Sequence, residues 1–419
     1  MSKESKLANG YFGLDDEVLI LESGVREIFT PHTPVDEISH FFGREDEASR
    51  LVSVINSPGQ HILVYGDRGV GKTSLAKTTC NMLLHKMQKG HLFEKRCDSS
   101  DTFSTLFLEP LAEVGIDLSL KEQTLTQNSG GGAKLSVGLA KADLSTKNET
   151  KLTSVSTINP DSPSWVAKQL KQLKGTCLID EADAIVCEIE KKKIAELVKL
   201  LSDYNSPFKL VIVGIAKTGE ELTAGHPSVE RCLKEVQLSR MSDDDLKKII
   251  LNGFKKVNLI VGDEVVTKIV DISAGFPHFT HLICLKSAER ALVNKNRHIT
   301  SEVLAIGLEE AVKDSEGILK RMYESTLRAL NTPQEYKLLL LAASYCRVPE
   351  FRSSELRDEL DNRFGVEVDS KALSRRLTNL TKGDSVTILS KPARGCFQFT
   401  DPRMPSFLKM AISQSQSEI

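Results

Sequence analysis

Two hydrophobic rhythms divide this chain of 419 residues. Up to about residue 240, short unbroken apolar runs alternate with segments of helical period. His61-Ile62-Leu63-Val64-Tyr65 is apolar and rich in β-branched residues, and it reads as a buried strand. Thr176-Cys177-Leu178-Ile179, residues 209–213 and the short Val236-Gln237-Leu238 read the same way, with 91–95 as a further strand. Between them, Ala48, Leu51, Val52 and Ile55 share one helix face that Ser57-Pro58-Gly59 stops. Residues 103–111 and 165–173 also have helical character. Strands alternating with helices predict an α/β fold built on a parallel, helix-flanked sheet.

Beyond that point the rhythm changes. Residues 242–315 read as helical throughout, and Ser242 and Asp245 are spaced as a capping box with Asp in place of Glu. The pattern restarts after Asn331-Thr332-Pro333. Three helical stretches at 335–345, 353–360 and 370–380 precede alternating strands at 386–389 and 396–399, around Pro392-Ala393-Arg394-Gly395. Three helices and a hairpin predict a C-terminal winged helix. The expected organisation is therefore an extended N-terminal arm at 1–37, an α/β core at 38–240, a helical piece at 241–316 and a winged helix domain at 317–419. The core is interrupted at about 115–162, where Asn128-Ser129-Gly130-Gly131-Gly132 breaks the pattern. There Leu135, Val137 and Leu139 alternate with polar neighbours, which reads either as a hairpin insertion or as a disordered surface loop.

The candidate chemistry sits just after the first strand. Gly66-Asp67-Arg68-Gly69-Val70-Gly71-Lys72-Thr73 fits the phosphate-loop pattern G-x-x-x-x-G-K-[ST], and Ser74 opens the following helix. Glycines let backbone N–H groups wrap a polyphosphate, and the helix N-terminus adds partial positive charge. Lys72 would reach the β- and γ-phosphates, and the Thr73 hydroxyl would ligate Mg²⁺. Downstream, the apolar run through Ile179 ends in Asp180-Glu181, the form of a Walker B strand. Asp180 would hold Mg²⁺ through water, and Glu181 would polarise the attacking water. Asp183 reads as a surface or capping residue. Arg231 follows the fourth strand and a short helix, where it serves either as an arginine finger or as half of a surface ion pair.

Composition bounds this reading. With 40% apolar and 27% charged residues, the chain is ordinary globular material. A net charge of -2 gives no global nucleic-acid signature. Residues 317–410 nevertheless hold 16 Lys and Arg against 11 Asp and Glu, so the C-terminal piece is the mildly basic one. The eight cysteines are dispersed with no C-x-x-C pair, which argues against a disulfide framework or a zinc site and fits a reducing compartment. A polar N-terminus without signal-peptide character, and no apolar stretch long enough to span a bilayer, predict a cytoplasmic protein with no membrane partner. His278 and His281 lie three residues apart without a third ligand, a pattern of packing rather than metal binding.

Taken in order, these parts resemble the AAA+ ATPases of the archaeal-type origin-recognition initiator branch. Phe42-Gly43-Arg44-Glu45, the phosphate loop, Asp180-Glu181, a helical lid and a C-terminal winged helix carry the likeness over about residues 38–410. The resemblance implies a RecA-like core, ATP and Mg²⁺ as cofactors, Gly43 against the adenine and assembly into a homo-oligomer. The first-sensor position falls near Ala216-Lys217-Thr218, so Lys217 or Thr218 would serve there. The second sensor, usually an Arg on the lid, is replaced by Ala274-Gly275-Phe276-Pro277-His278. That Gly-x-Pro segment is similar to the STAND signalling ATPases, which implies that Pro277 and His278 meet nucleotide. It also reads as a helix N-terminus with Pro in the first turn. Two functions remain open. One is an ATP-dependent switch acting on double-stranded DNA, with Lys371, Arg375, Arg376, Lys391 and Arg394 on phosphates. The other is a STAND-like regulatory ATPase of a defence or mobile-element system, whose C-terminal domain docks and licenses a partner effector protein.

Overall fold

The computed structural model describes residues 14–35, 40–87, 90–116, 118, 158–216, 218–223, 229–315, 317–330, 332–346, 349–382 and 387–412. The expected insertion around 135–139, Lys217 and Val386 lie outside them. The five strands of the main sheet are β1 (His61–Gly66), β2 (His91–Arg96), β3 (Gly175–Asp180), β4 (Phe208–Ile215) and β5 (Leu233–Gln237), in the order β2-β3-β4-β1-β5. β3 pairs in parallel with both β2 and β4. Every residue of β1 is buried, as a strand with both faces covered requires. The fold is a RecA-like P-loop architecture of parallel strands and flanking helices.

The helices that accompany this sheet are α3 (Glu45–Asn56), α4 (Lys72–Met87), α5 (Phe103–Leu106), α6 (Leu108–Glu113), α7 (Pro163–Leu170), α8 (Glu188–Asp203) and α9 (Glu220–Thr223). The stretch at 103–111, expected as one helix, breaks in two at Phe107, whose backbone leaves the helical region. Preceding them are α1 (Leu14–Glu22) and α2 (Val25–Ile28), so the arm expected to be extended is helical over much of its described length. Asp15, Asp16 and Glu17 complement the N-terminal end of α1, and buried Val25 and Phe29 anchor the segment.

The chain forms two compact units. One comprises Met1–Arg50, Tyr65–Asn81 and Gln237–Ile419; the other comprises Leu51–Val64 and Met82–Val236. The phosphate loop therefore belongs to the unit that carries the C-terminal helices, and Asp180-Glu181 to the unit that carries most of the sheet.

In the first unit, α10 (Asp243–Lys256), α11 (Asp263–Ser273), α12 (Pro277–Val293) and α13 (Ser301–Asp314) follow one another. Ser242 caps α10 by accepting from the Asp245 N–H at 3.2 Å, while its hydroxyl donates to the Asp245 carboxylate at 2.7 Å. The segment is not helical throughout. Asn258 turns the chain at φ 57°, and β6 (Ile260–Val261) pairs in parallel with β7 (His298–Ile299). The β-branched pair Ile260-Val261 favours that local strand.

The C-terminal part contains α14 (Gly317–Arg328), α15 (Pro333–Ala343), β8 (Glu350–Arg352), α16 (Ser353–Phe364), α17 (Ser370–Leu380), β9 (Leu389–Ala393), β10 (Cys396–Phe399) and α18 (Met404–Ile412). The small sheet is antiparallel in the order β8-β10-β9, with β8 added to the hairpin the sequence suggests and β9 starting only at Leu389. Asp369 caps α17 by accepting from the N–H groups of Lys371 and Ala372, each at 3.0 Å, while Leu373, Leu377 and Leu380 face the core. α18 is buried along nearly its whole length. Lys409 Nζ donates to the carbonyl and carboxylate of Asp271, both at 3.0 Å, and Ser406 Oγ donates to the Ser273 carbonyl at 3.0 Å. These bonds tie α18 to the end of α11.

Candidate nucleotide site

The phosphate loop is shaped where β1 ends. Leu238 N–H donates to the Tyr65 carbonyl at 2.7 Å, which brings the Leu238 backbone against Gly66. A Cβ at Gly66 would overlap the Leu238 carbonyl oxygen, and its φ of 147° is one that other residues rarely adopt, so the position requires glycine. The chain then turns through Asp67, Arg68, Gly69 and Val70, and α4 starts at Lys72, with Leu75 N–H donating to Gly71 at 2.9 Å. Lys72 is buried. Its ammonium donates to the carbonyls of Gly66 at 3.1 Å and Asp67 at 2.7 Å, which holds it in the curve of the loop. The first turn of α4, including Thr73, offers the backbone N–H groups that every helix start leaves without an intrahelical partner. Buried cation, glycine turn and helix start together fit a polyphosphate with its Mg²⁺. Ser74 is held from outside: its Oγ accepts from Val35 N–H at 3.1 Å.

Residues before α3 buttress the same turn. Arg44 is buried, and its Nη2 donates to Ser239 O at 2.5 Å and reaches Val70 O at 3.5 Å. Gly43 has φ 79° and packs against Met241 and Asp245, where a Cβ would come within 2.7 and 2.8 Å of side-chain atoms.

The loop also meets the start of α12. A Cβ on Gly71 would lie 3.7 Å from Pro277 Cγ, and one on Gly69 would lie 3.8 Å from His278 Cβ and 3.7 Å from Phe276 Cδ1. Pro277 and His278 are therefore at the loop, and Pro277 is also the first-turn proline of a helix. His278 Nδ1 is 2.8 Å from Pro31 O, and His281 Nδ1 accepts from Thr30 N–H at 3.2 Å. Burial, with His278 nearby, pushes the His281 imidazole down to about 4. The two histidines pin the N-terminal segment, in line with packing. Among the described residues, no group of three or more His, Cys, Asp or Glu could hold a metal ion.

One neighbour of the loop escapes sequence reasoning. Arg403, at the start of α18, places its Cδ 3.4 Å from where a Gly69 Cβ would be. Its side chain is only 2% exposed. Asp401 holds it, with Nε donating to Oδ1 at 3.0 Å, Nη2 to Oδ2 at 2.7 Å and the Arg403 N–H to Oδ1 at 2.9 Å. Arg240 lies 4.5 Å above the Phe276 ring and donates to Pro402 O at 3.1 Å. Burial lowers the Arg240 pKa, with the Asp67 charge opposing. The only sequence signal was a lone Asp401-Pro402-Arg403, which matches no common motif.

In the other unit, Asp180 ends β3 and Glu181 follows in the left-handed region at φ 55°, its N–H donating to Asp180 Oδ1 at 2.9 Å. Arg96 ends β2 in register with Asp180 and grips Glu181 through two bonds. Asp183 Oδ1 accepts from Ile215 N–H at 2.8 Å, a capping role at the end of β4. Arg231 is exposed and pairs with Asp203 at 3.1 Å. Lys217, one of the two first-sensor candidates, is outside the described residues, and Thr218 is exposed. Burial raises the Cys97 thiol to about 12, so it is no nucleophile. No described helix is long and apolar enough to cross a membrane.

A family model described as Novel STAND NTPase 1 matches residues 32–338. No curated protein matches the sequence. Among solved structures, the Walker-type ATPase PABY2304 of Pyrococcus abyssi is 18% identical with a TM-score of 0.49, over 91% of this chain and 99% of that one. ORC1 of Aeropyrum pernix, in complex with DNA, is 15% identical with a TM-score of 0.43, over 94% and 97%. Cdc6p of Pyrobaculum aerophilum is 16% identical with a TM-score of 0.43, over 94% and 98%.

Proposed function

Because the chain belongs to the Novel STAND NTPase 1 family, we propose that it is a Mg²⁺-ATP-dependent switch whose nucleotide state is passed to its C-terminal helices and from them to a partner. One observation carries this reading: Arg403, at the start of the C-terminal helix, lies against Gly69 in the turn that would hold the phosphates. A bound polyphosphate would compete with Asp401 for that guanidinium, because both offer paired oxygens to it.

Hydrolysis in this reading is mostly positioning and charge neutralisation. Lys72 and the backbone of Gly69 to Thr73 take the phosphates, with Pro277, His278 and Gly43 bordering the nucleotide. The Thr73 hydroxyl would ligate Mg²⁺ and Asp180 would hold it through water, and the ion would supply charge neutralisation to the phosphates. Glu181 orients and deprotonates the attacking water. Arg231 is assigned to a neighbour's γ-phosphate in a homo-oligomer, and Lys217 or Thr218 to the first sensor.

The favoured partner is an effector protein in the cytoplasm. Arg376, which a DNA-reading α17 would turn outward, is instead paired with Glu335. A second reading, duplex DNA, is favoured by the exposure of Lys371 and Arg375 on α17 and of Lys391 and Arg394 on the hairpin.

Titration calorimetry with Mg²⁺-ATP on wild type and Lys72→Ala, followed by turnover assays, tests the nucleotide site. The wild type should bind and hydrolyse ATP, and the variant should lose binding. Equal affinity in the two proteins would overturn the assignment.

A further inference from the structure

A cavity of about 660 Å³ opens among α14, α15 and α17, within the C-terminal part. Its basic wall is Arg375, Arg376 and Lys382, and among the described residues Glu335 is the one acid lining it. Leu330, Tyr336, Leu380 and Ile388 supply apolar surface. The volume falls in the roughly 300–1,000 Å³ range of small-molecule sites, and its lining is more polar than apolar, as a charged ligand requires.

We propose that this cavity binds a small phosphorylated molecule, independently of the phosphate loop. Among the described lining residues, three cations face one carboxylate, a surplus of two positive charges in a concave space. Glu335 already shows what the site selects, since its carboxylate rests on the Arg376 guanidinium. A phosphate offers the same paired oxygens with more charge, so it can share or take over Arg376. α15 starts at the cavity with Thr332 and Pro333, and Thr332 makes no side-chain capping bond. The first N–H groups of this 11-residue helix therefore add donors and positive potential. Asn379 Nδ2 donates to Tyr336 Oη at 3.1 Å, which fixes a polar rim beside the apolar floor. Arg376 is half-buried and paired with Glu335 at the cavity, a setting that suits a small anion entering the cleft.

Thermal melting of the full-length chain tests the site. The Lys72→Ala background weakens the phosphate loop, and the comparison between variants cancels whatever occupancy remains there. The probes are inorganic phosphate and AMP at about 10 mM, where mass action makes even weak binding visible, with adenosine as the uncharged control. AMP or phosphate should raise the melting temperature, and adenosine should not. The double variant Arg375→Ala, Lys382→Ala should weaken the effect about tenfold or more. Glu335→Gln, which removes the competing carboxylate, should strengthen it several-fold, a gain that a merely structural ion pair would not give. The proposal fails if neither phosphate probe shifts the melt. It also fails if both variants behave like the parent, or if short duplex DNA displaces AMP, which would assign these cations to a nucleic-acid face.

Discussion

Arg96 donates to both carboxylate oxygens of Glu181, from Nε to Oε2 at 3.0 Å and from Nη2 to Oε1 at 2.7 Å. The residue assigned to activate water is therefore engaged by a cation from the neighbouring strand. Glu181→Gln should keep ATP binding while turnover falls on the order of 10²–10⁴-fold, the usual range for a positioned base. Arg96→Ala removes the competing guanidinium, and basal turnover should rise several-fold. Steady-state phosphate release reads both variants, and a slower Arg96→Ala protein would mean that the arginine assists catalysis rather than restraining it.

Arg231 is exposed and paired with Asp203 on the surface. If it acts on a neighbouring subunit, specific activity of the wild type should climb with protein concentration, and Arg231→Ala should hydrolyse slowly at normal ATP affinity. A concentration-independent rate shared by both proteins would reduce Arg231 to its surface ion pair.

Two buried imidazoles make stability depend on acid. Burial takes His61 from 6.5 to about 3, and its Nδ1 accepts from Leu210 N–H at 3.0 Å. His281 goes from 6.5 to about 4. Below 6.5 the unfolded chain takes up protons that the folded chain refuses until about 3 to 4. Their contribution is thus fully present above 6.5 and is lost progressively as the pH falls. Urea unfolding between pH 5 and 6.5 should lose stability less steeply in His61→Gln than in wild type, by about one proton's worth of slope. Parallel slopes would show that His61 is protonated in the folded chain.

The candidate nucleotide site is legible in the sequence because its parts are local. Gly66 to Thr73 is a contiguous motif between a strand and a helix, and Asp180-Glu181 ends an apolar run. The capping pair Ser242 and Asp245, and the helix over 370–380, were legible for the same reason. What the sequence hid depends on contacts distant along the chain. Arg403 reaches Gly69 only because α18 is buried against the segments before it, and no spacing announces that. The strand expected at 91–95 stops short of Arg96, and nothing in the sequence links Arg96 to Glu181 until β2 and β3 pair in register. β8 is three residues long and gains its place from β10, and Ile260-Val261 pairs with a partner beyond two helices. The N-terminal arm carries prolines at 31 and 34, but its fold is decided earlier, by the acidic first turn of α1 and the burial of Phe29.

The most direct test of the switch is hydrogen exchange of the 404–412 amides in Glu181→Gln, with and without saturating Mg²⁺-ATP. Bound phosphates would draw Arg403 from Asp401 and loosen the start of α18, so these amides should exchange faster in the ATP-bound protein. Unchanged exchange across 404–412, with ATP binding verified in the same sample, would contradict the claim that the C-terminal helices read the nucleotide.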